Sequence, residues 1–121
     1  MIKEVQDYIV DFFSNCTFGQ IPEDDNVLNI NIYDTGKNPF FNDTTHVLGV
    51  NLYVRNKSFE EMLNQDEIVC KGLLNIYDKK IKNIHIINTK KNSGQEPQRD
   101  EKNRYSSYSS FEMTIEKIKE D

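Results

Sequence analysis

The fold is decided by one stretch, Thr-His-Val-Leu-Gly-Val-Asn-Leu-Tyr-Val-Arg at residues 45–55. Its residues alternate between two faces. The apolar face consists of Leu48, Val50, Leu52 and Val54, and the mixed face consists of Gly49, Asn51, Tyr53 and Arg55. This two-residue period predicts a strand with one buried side. The stretch is long for a strand, so we expect it to occupy an interior position in a sheet.

A helix start follows directly after this strand. Ser58-Phe59-Glu60-Glu61 has the pattern of a capping box, in which the Ser58 hydroxyl accepts from the Glu61 amide and the Glu61 carboxylate accepts from the Ser58 amide. The residues behind it predict a helix from Ser58 to about Asp78. Its apolar stripe is Phe59, Met62, Leu63, Val69, Cys70, Leu73, Ile76 and Tyr77.

Upstream, two further elements are predicted. Spacings of three and four predict a helix over residues 2–14, with its stripe formed by Ile2, Val5, Ile9, Phe12, Phe13 and Cys16. A polar, acidic connection over residues 20–26 then leads into an alternating strand from Val27 to Tyr33.

Downstream, β-branched residues predict a third strand from Ile81 to Asn88, and alternation predicts a last strand from about Tyr105 to Ile118. Thr89 to Arg104 between them has no large apolar residue and mixes both signs of charge. This stretch is too long for an ordinary hairpin connection, so we predict a mobile loop that serves as a contact surface.

The predicted element order is α-β-β-α-β-β, in one domain over residues 1–121. We expect an α+β fold with a mainly antiparallel four-stranded sheet and two helices packed on one face, a permuted relative of the ferredoxin-like pattern.

Composition limits the functions to consider. The 121 residues are 36% hydrophobic and 29% charged, with 15 Lys and Arg against 20 Asp and Glu, so the net charge is −5. This balance opposes general affinity for a nucleic-acid backbone. The amino-terminal residues do not have the pattern of a signal peptide, and no apolar run approaches the roughly 18 residues that span a bilayer. We therefore expect a cytosolic protein that does not contact membranes, with free thiols.

No catalytic or metal-binding pattern is recognisable. His46 and His85 lie on different predicted strands without a cysteine at ligand spacing, which argues against zinc. Cys16 and Cys70 fall on apolar helix stripes, where cysteine acts as a small hydrophobe. We expect no enzyme activity.

Two other kinds of ligand site are also not indicated. Glu23-Asp24-Asp25 lacks the glycine and later glutamate of an EF-hand. Gly36 and Gly94 stand alone, so neither forms a phosphate-binding loop. We expect no cofactor and no bound metal.

Asp66 breaks the apolar stripe of the second predicted helix. Its carboxylate either reaches past the core edge, bonds to a buried donor, or faces a neighbouring subunit.

Three segments together resemble the tail terminator and minor capsid (head-tail joining) proteins of long-tailed bacteriophages. They are Tyr33-Asp34-Thr35-Gly36 with the following Pro39, the strand Val50–Arg55 leading into Lys57–Glu61, and the closing segment from Tyr105-Ser106-Ser107-Tyr108 through Phe111–Ile115. With the short amino-terminal helix, the resemblance spans most of the chain.

This resemblance implies a structural protein of virion assembly. Such a homo-oligomer forms a ring, expected to be hexameric, that caps the finished tail tube and joins it to the head. Its partners would be copies of itself, tail-tube proteins and head-completion proteins. DNA would pass through the lumen without specific binding, because an acidic ring repels it. The expected location is the virion, assembled in the cytoplasm of the host bacterium.

We expect subunit or partner contacts at Tyr53, Arg55, Asp66, Arg99 and Arg104. The alternative function is a ferredoxin-like binding module for nucleic acid or a small ligand, in which Tyr53 and Tyr108 would be available for stacking. Both classes predict binding surfaces and neither predicts an active site.

Overall fold

The structure is a computed structural model that describes residues 1–118. Within these residues it is α+β, with two helices and seven strands. The elements in chain order are α1 (Ile2–Phe12), β1 (Thr17–Phe18), β2 (Val27–Asp34), β3 (Thr45–Asn56), α2 (Phe59–Leu74), β4 (Lys79–Ile81), β5 (Ile84–Gly94), β6 (Gln98–Arg99) and β7 (Tyr105–Lys117). No helix in this part of the chain is both long and apolar enough to cross a membrane.

The predicted sheet of four strands is wrong, and so is the order α-β-β-α-β-β. The seven strands form one mixed sheet in the order β1-β2-β3-β7-β5-β4, and β6 also pairs with β7. The sheet curls into a half-barrel. Strand β1 runs parallel to β2. The strands that the sequence did not predict, β1, β4 and β6, have two or three residues each, which is too short for an alternating period to appear.

The interior position predicted for β3 is confirmed. It pairs with β2 from Asp34↔Leu48 to Val27↔Arg55, and with β7 along its whole length from Thr45↔Glu116 to Asn56↔Tyr105. Its inward side chains, Leu48, Val50, Leu52 and Val54, are all fully buried. The long alternating stretch therefore forms the middle of the sheet.

Both helices pack on the same face of the sheet. Val5 and Ile9 from α1, and Met62, Val69 and Leu73 from α2, join one core with the inward residues of the strands. The core residues contributed by β5 and β7 are Ile84, Ile86, Phe111, Met113 and Ile115. One face of the sheet is thus covered by helices, and we call the opposite face the open face.

The capping box at α2 is half confirmed. The Ser58 Oγ accepts from the Glu61 amide at 3.3 Å. The Ser58 amide, however, donates to the Asn56 side-chain oxygen at 2.9 Å instead of to Glu61. The helix ends at Leu74, four residues before the predicted end near Asp78. Asp78 itself has a φ of +47° and directly precedes β4.

Half of the predicted loop over residues 89–104 is strand. β5 continues to Gly94, the Gln95 amide donates to the Tyr108 carbonyl at 2.8 Å, and β6 then pairs with β7 at Gln98↔Ser106. The segment is one arm of a hairpin that turns at residues 100–104. In the turn, Asp100 Oδ1 accepts from the amides of Lys102 and Arg104 at 2.9 and 3.0 Å.

The free edge of β5 is poorly suited to pairing with another strand. Beyond the part that faces β4, the register against β7 shifts between Ile86 and Asn88 and again between Lys91 and Ser93. Lys90 and Lys91 lie on the same stretch and are exposed. Bulges and lysines are devices by which proteins protect sheet edges from other chains.

Gly49 provides a test of the open face. It lies opposite Tyr33, and a Cβ there would be 2.2 Å from Cζ of the tyrosine ring. We expect Gly49→Ala to lower the free energy of unfolding by about 1–2 kcal/mol, since the ring must move. Urea denaturation measures this difference.

Gly94→Ala is the matched control, since its closest neighbours are the flexible end atoms of Lys91 at 3.3 Å. Its change should stay within about 0.5 kcal/mol. In a Tyr33→Ser background the cost of Gly49→Ala should largely disappear, and an unchanged cost there would contradict this account.

Candidate functional site

The centre of the open face is polar, aromatic and uncharged. Tyr53 lies opposite Tyr108 across the β3–β7 pair, and Asn51 lies between Asn31 of β2 and Ser110 of β7. The Ser110 hydroxyl donates to the Asn51 side-chain oxygen at 3.2 Å. Alternation along three adjacent strands therefore brings amides and phenol rings onto one surface.

A cavity of about 130 Å³ opens in this surface. Tyr53, Tyr108 and Asn51 line it from the sheet, and Ile21 with Gly19 line it from the chain that precedes β2. Burial raises the pKa of the Tyr108 hydroxyl. Asn29 and Asn31 complete the wall, so no charged residue lines the cavity. We call it the tyrosine pocket.

Two arginines hold the chain that forms one side of the tyrosine pocket. Arg55 Nη2 donates to the Pro22 carbonyl at 2.6 Å, and its Nε donates to the Asp24 carbonyl at 3.1 Å. Arg104 Nη1 donates to the Glu23 carbonyl at 3.2 Å. The two residues are only 7% and 8% exposed. Both residues, expected as partner contacts, therefore bind backbone carbonyls of their own chain.

The Arg104 guanidinium is itself fixed by the hairpin turn. Its Nε donates to Asp100 Oδ2 at 2.7 Å. That hydrogen bond raises the pKa of Arg104, and the Arg104 backbone amide in turn contributes most to lowering the pKa of Asp100. The hairpin turn and the connection before β2 are thereby tied to one end of the open face.

The opposite end of the open face carries the loop between β2 and β3, residues 35–44. Two asparagines organise it: Asn38 Oδ1 accepts from the Phe40 amide at 3.2 Å, and Asn42 Oδ1 accepts from the Thr45 amide at 2.7 Å. At its tip Phe40 is 61% exposed and Phe41 is 96% exposed. Phe41 also has a φ of +52°, a conformation that bulky residues rarely adopt.

A charged group lies at the base of this loop. Lys37 Nζ is 2.7 Å from Glu112 Oε1, and Lys90 Nζ is 3.8 Å from Glu112 Oε2. The hydrogen bond with Lys37 lowers the pKa of Glu112 and raises that of Lys37. Since both lysines are well exposed, the group contributes little to stability and is available to water.

The five residues expected as contacts do not form one cluster. Tyr53 lies in the tyrosine pocket, and the Arg55 guanidinium stands 5.8 Å from the centre of its ring. Arg104 holds the same neighbouring segment. Arg99 lies apart from them, exposed on β6, where its Nε donates to Asn103 at 3.1 Å.

Asp66 lies on the helix-covered side of the sheet. Its Oδ1 accepts from the Ser107 hydroxyl at 3.0 Å, and the Cys70 Sγ is 3.8 Å away. Of the three alternatives for this carboxylate, the structure shows a bond to a donor of the core face. Nothing in this geometry links Asp66 to the open face.

Phe40 and Phe41 are exposed aromatic residues that the sequence patterns do not single out. The stretch around them reads as a turn-rich break because of Gly36, Asn38 and Pro39. The available signal was the presence of two adjacent aromatic residues inside such a break, where polar residues are usual.

The residues considered for metal binding or catalysis are not brought together. Within residues 1–118 no group of three or more His, Cys, Asp or Glu side chains could hold a metal ion. His85 pairs with Asp78 at 2.7 Å. The register places His46 opposite Ile115 and His85 opposite Glu116, which are on opposite faces of the sheet.

No protein-family model matches this sequence, and no curated protein is similar enough to give a match.

We call the side chains of Arg55 and Arg104, which bind the carbonyls of residues 22–24, the arginine clamp. A substitution in this clamp tests the architecture of the site. Arg55→Met would leave the carbonyls of Pro22 and Asp24 without this buried donor. We expect the free energy of unfolding to fall by about 2 kcal/mol in urea denaturation. Arg99→Met, with the same chemical change at an exposed site, should alter it by less than about 0.5 kcal/mol. Equal effects would contradict the assignment of Arg55 to the clamp.

The two free thiols should differ in reactivity. Burial raises the pKa of both Cys16 and Cys70, but Cys70 is buried in the core whereas Cys16 is only partly covered. In native protein at pH 8, iodoacetamide should modify Cys16 slowly and Cys70 only after unfolding, with the rate for Cys16 still rising above the ordinary thiol pKa. Mass spectrometry of the digested protein gives both rates, and prompt modification of Cys70 would contradict its place in the core.

Proposed function

We propose that this protein is a structural subunit of a bacteriophage virion, which assembles with its own copies into a ring that caps the tail tube and joins it to the head. The observation that carries the proposal is the pair Phe40–Phe41 at the tip of an ordered, protruding loop. The resemblance of the sequence to tail terminator and head-tail joining proteins supplies the particular assembly, with six subunits as the expected number.

Exposed aromatic residues favour covering by a protein surface. A Phe side chain buries roughly 150–250 Å² when covered, and burial is worth about 25 cal/mol per Å². Covering both Phe40 and Phe41 would therefore contribute several kcal/mol of hydrophobic free energy in total. Since the loop's own hydrogen bonds hold both residues outward, a partner is the favoured means of covering them.

The sheet edges favour loop and face contacts over strand pairing between copies. The free edge of β5 carries bulges and lysines, and the outer strands β1 and β4 have two and three residues. Contacts between two different surfaces of neighbouring copies generate a ring when the rotation closes. A loop at one end of the open face and a pocket towards the other supply two such surfaces.

Exposed apolar residues also lie on both helices and directly after α2. Phe12 of α1, Ile68 of α2 and Tyr77 are each at least 60% exposed. We assign the helix side to the tail-tube and head-completion proteins, which the ring must contact in addition to its own copies. The net charge of −5 agrees with a lumen that passes DNA without binding it. Assembly would take place in the cytoplasm of the host bacterium.

The tyrosine pocket favours a second candidate function, a binding module. Tyr53 and Tyr108 with the neighbouring amides could bind a small neutral ligand or stack unpaired bases. Filter binding with a single-stranded oligonucleotide at low salt distinguishes the candidates: tight, steeply salt-dependent binding would favour the nucleic-acid module, whereas the ring subunit should not bind.

The ring proposal predicts the mass of the particle. Light scattering coupled to size-exclusion chromatography should show a closed oligomer, expected to be a hexamer, when the protein is concentrated, and electron microscopy should show rings. The gene should lie between head-completion and tail-tube genes. A protein that stays monomeric at high concentration and in the presence of tail tubes would contradict the proposal.

A further inference from the structure

We propose that Phe41 of one copy inserts into the tyrosine pocket of the next copy, forming the contact that closes the ring. This inference rests on the proposed self-assembly and names the surfaces that perform it. The juxtaposition behind it is an almost fully exposed phenyl group at one end of the open face and an uncharged pocket near the other end.

Hydrogen bonds fix the backbone of the loop at Phe41. The Phe41 amide donates to the Asn38 carbonyl at 3.3 Å, and Asn38 also accepts from the amides of Phe40 and Asn42. A bulky residue with a φ of +52° is strained by about 1–3 kcal/mol. Residues strained in this way are concentrated at active sites and ligand-binding sites. A fixed loop loses little conformational entropy on binding.

The pocket matches a phenyl ring in size. Its volume is about 130 Å³, and an apolar cavity of about 150 Å³ holds one benzene molecule. Tyr53, Tyr108 and Ile21 supply aromatic and aliphatic contacts for the ring. Asn31 is exposed at the pocket wall, where its amide can pair with the peptide groups beside Phe41.

The two surfaces that would meet in this pairing are uncharged. The tip of the loop, Asn-Pro-Phe-Phe-Asn at residues 38–42, carries no charged side chain, and neither does the pocket. Neutral surfaces meet without the desolvation cost that an unpaired buried charge would carry. Lys37 at the base of the loop is paired with Glu112, so this lysine brings no unpaired charge to the contact.

A copy does not fill its own pocket. The loop rejoins β3 at Thr45, and Tyr53 is eight residues further along the strand, about 26 Å away at the strand rise. Phe41 is 96% exposed, so its ring is outside every pocket of its own chain. A Phe41 ring in this pocket would therefore come from another molecule, and each copy offers both the ring and the pocket.

The area that Phe40 and Phe41 can bury is compatible with one such contact between each pair of neighbouring copies. Phe40 and Phe41 together bury about 300–500 Å². A stable interface needs about 800 Å² from each partner. The two rings thus supply about half, and the rest would come from the loop and the pocket rim, which includes exposed Ile21.

The test uses two variants of the full chain with opposite defects. Phe41→Ser removes the inserted ring, and Ile21→Asp places a charge in the pocket wall. Both positions are exposed, so folding should be retained, and circular dichroism checks it. Ile68→Asp is the matched control, since Ile68 is 63% exposed on the helix side.

Each defective variant alone should associate at least about 30-fold more weakly than the unaltered protein and run as a monomer, as expected for loss of a central anchor. An equal mixture of the two should form a one-to-one dimer by native mass spectrometry. In this dimer, Phe41 of the Ile21→Asp chain would occupy the intact pocket of the Phe41→Ser chain. Ile68→Asp should still form rings.

The outcomes separate this inference from the ring proposal. Rings that persist in either Phe41→Ser or Ile21→Asp would overturn the inference and leave the ring proposal standing. A one-to-one dimer from the mixture, with the unaltered protein forming open chains instead of rings, would support the contact and overturn ring closure. An unaltered protein that is monomeric, with no dimer in the mixture, would overturn both.

Discussion

The pairing of β3 with β7 is the constraint on which the rest of the structure depends. It joins residues 45–56 to residues 105–116 in one uninterrupted antiparallel register. Because side chains alternate along both strands, this single register sets two faces at once: Leu52 and Met113 point to the helices, while Tyr53 and Tyr108 point to the open face. A slip of one residue would exchange the two faces. The core and the tyrosine pocket therefore have a common origin.

The sequence was sufficient for the long elements and insufficient for the sheet. The alternation over 45–55 and the periodicity of the two helices need only local patterns, and each was placed within a few residues. β1 and β6 have two residues each, so their pairing is decided by tertiary contacts: the Thr17 hydroxyl accepts from Asn29, and β6 follows the hairpin that begins in β5. The sequence predicts a loop where the hairpin lies, because residues 90–94 of β5 are exposed and polar. A strand without a buried face needs no alternation of apolar and polar residues.

The surroundings of the candidate contact residues could not all be predicted from local sequence patterns. Arginine on a polar strand face suggests an exposed contact, but Arg55 is buried by the chain that precedes β2, which is about 30 positions away in sequence. Arg104 is drawn to the same segment from about 80 positions away. Such long-range bonds leave no spacing signal. Tyr53 differs from the two arginines, because its place on the open face follows from the β3 alternation alone.

Hydrogen bonds fix the chain at both ends of the open face. At one end the two arginines bind three consecutive carbonyls, of Pro22, Glu23 and Asp24, and so fix the segment that carries Ile21. At the other end Asn38 and Asn42 fix the loop that carries Phe41. A mobile surface would lose conformational entropy on every contact, whereas a surface that is already fixed loses little. For the contact that we propose between Phe41 and the tyrosine pocket, fixing both surfaces in advance transfers that cost from assembly to folding, where the β3–β7 core bears it.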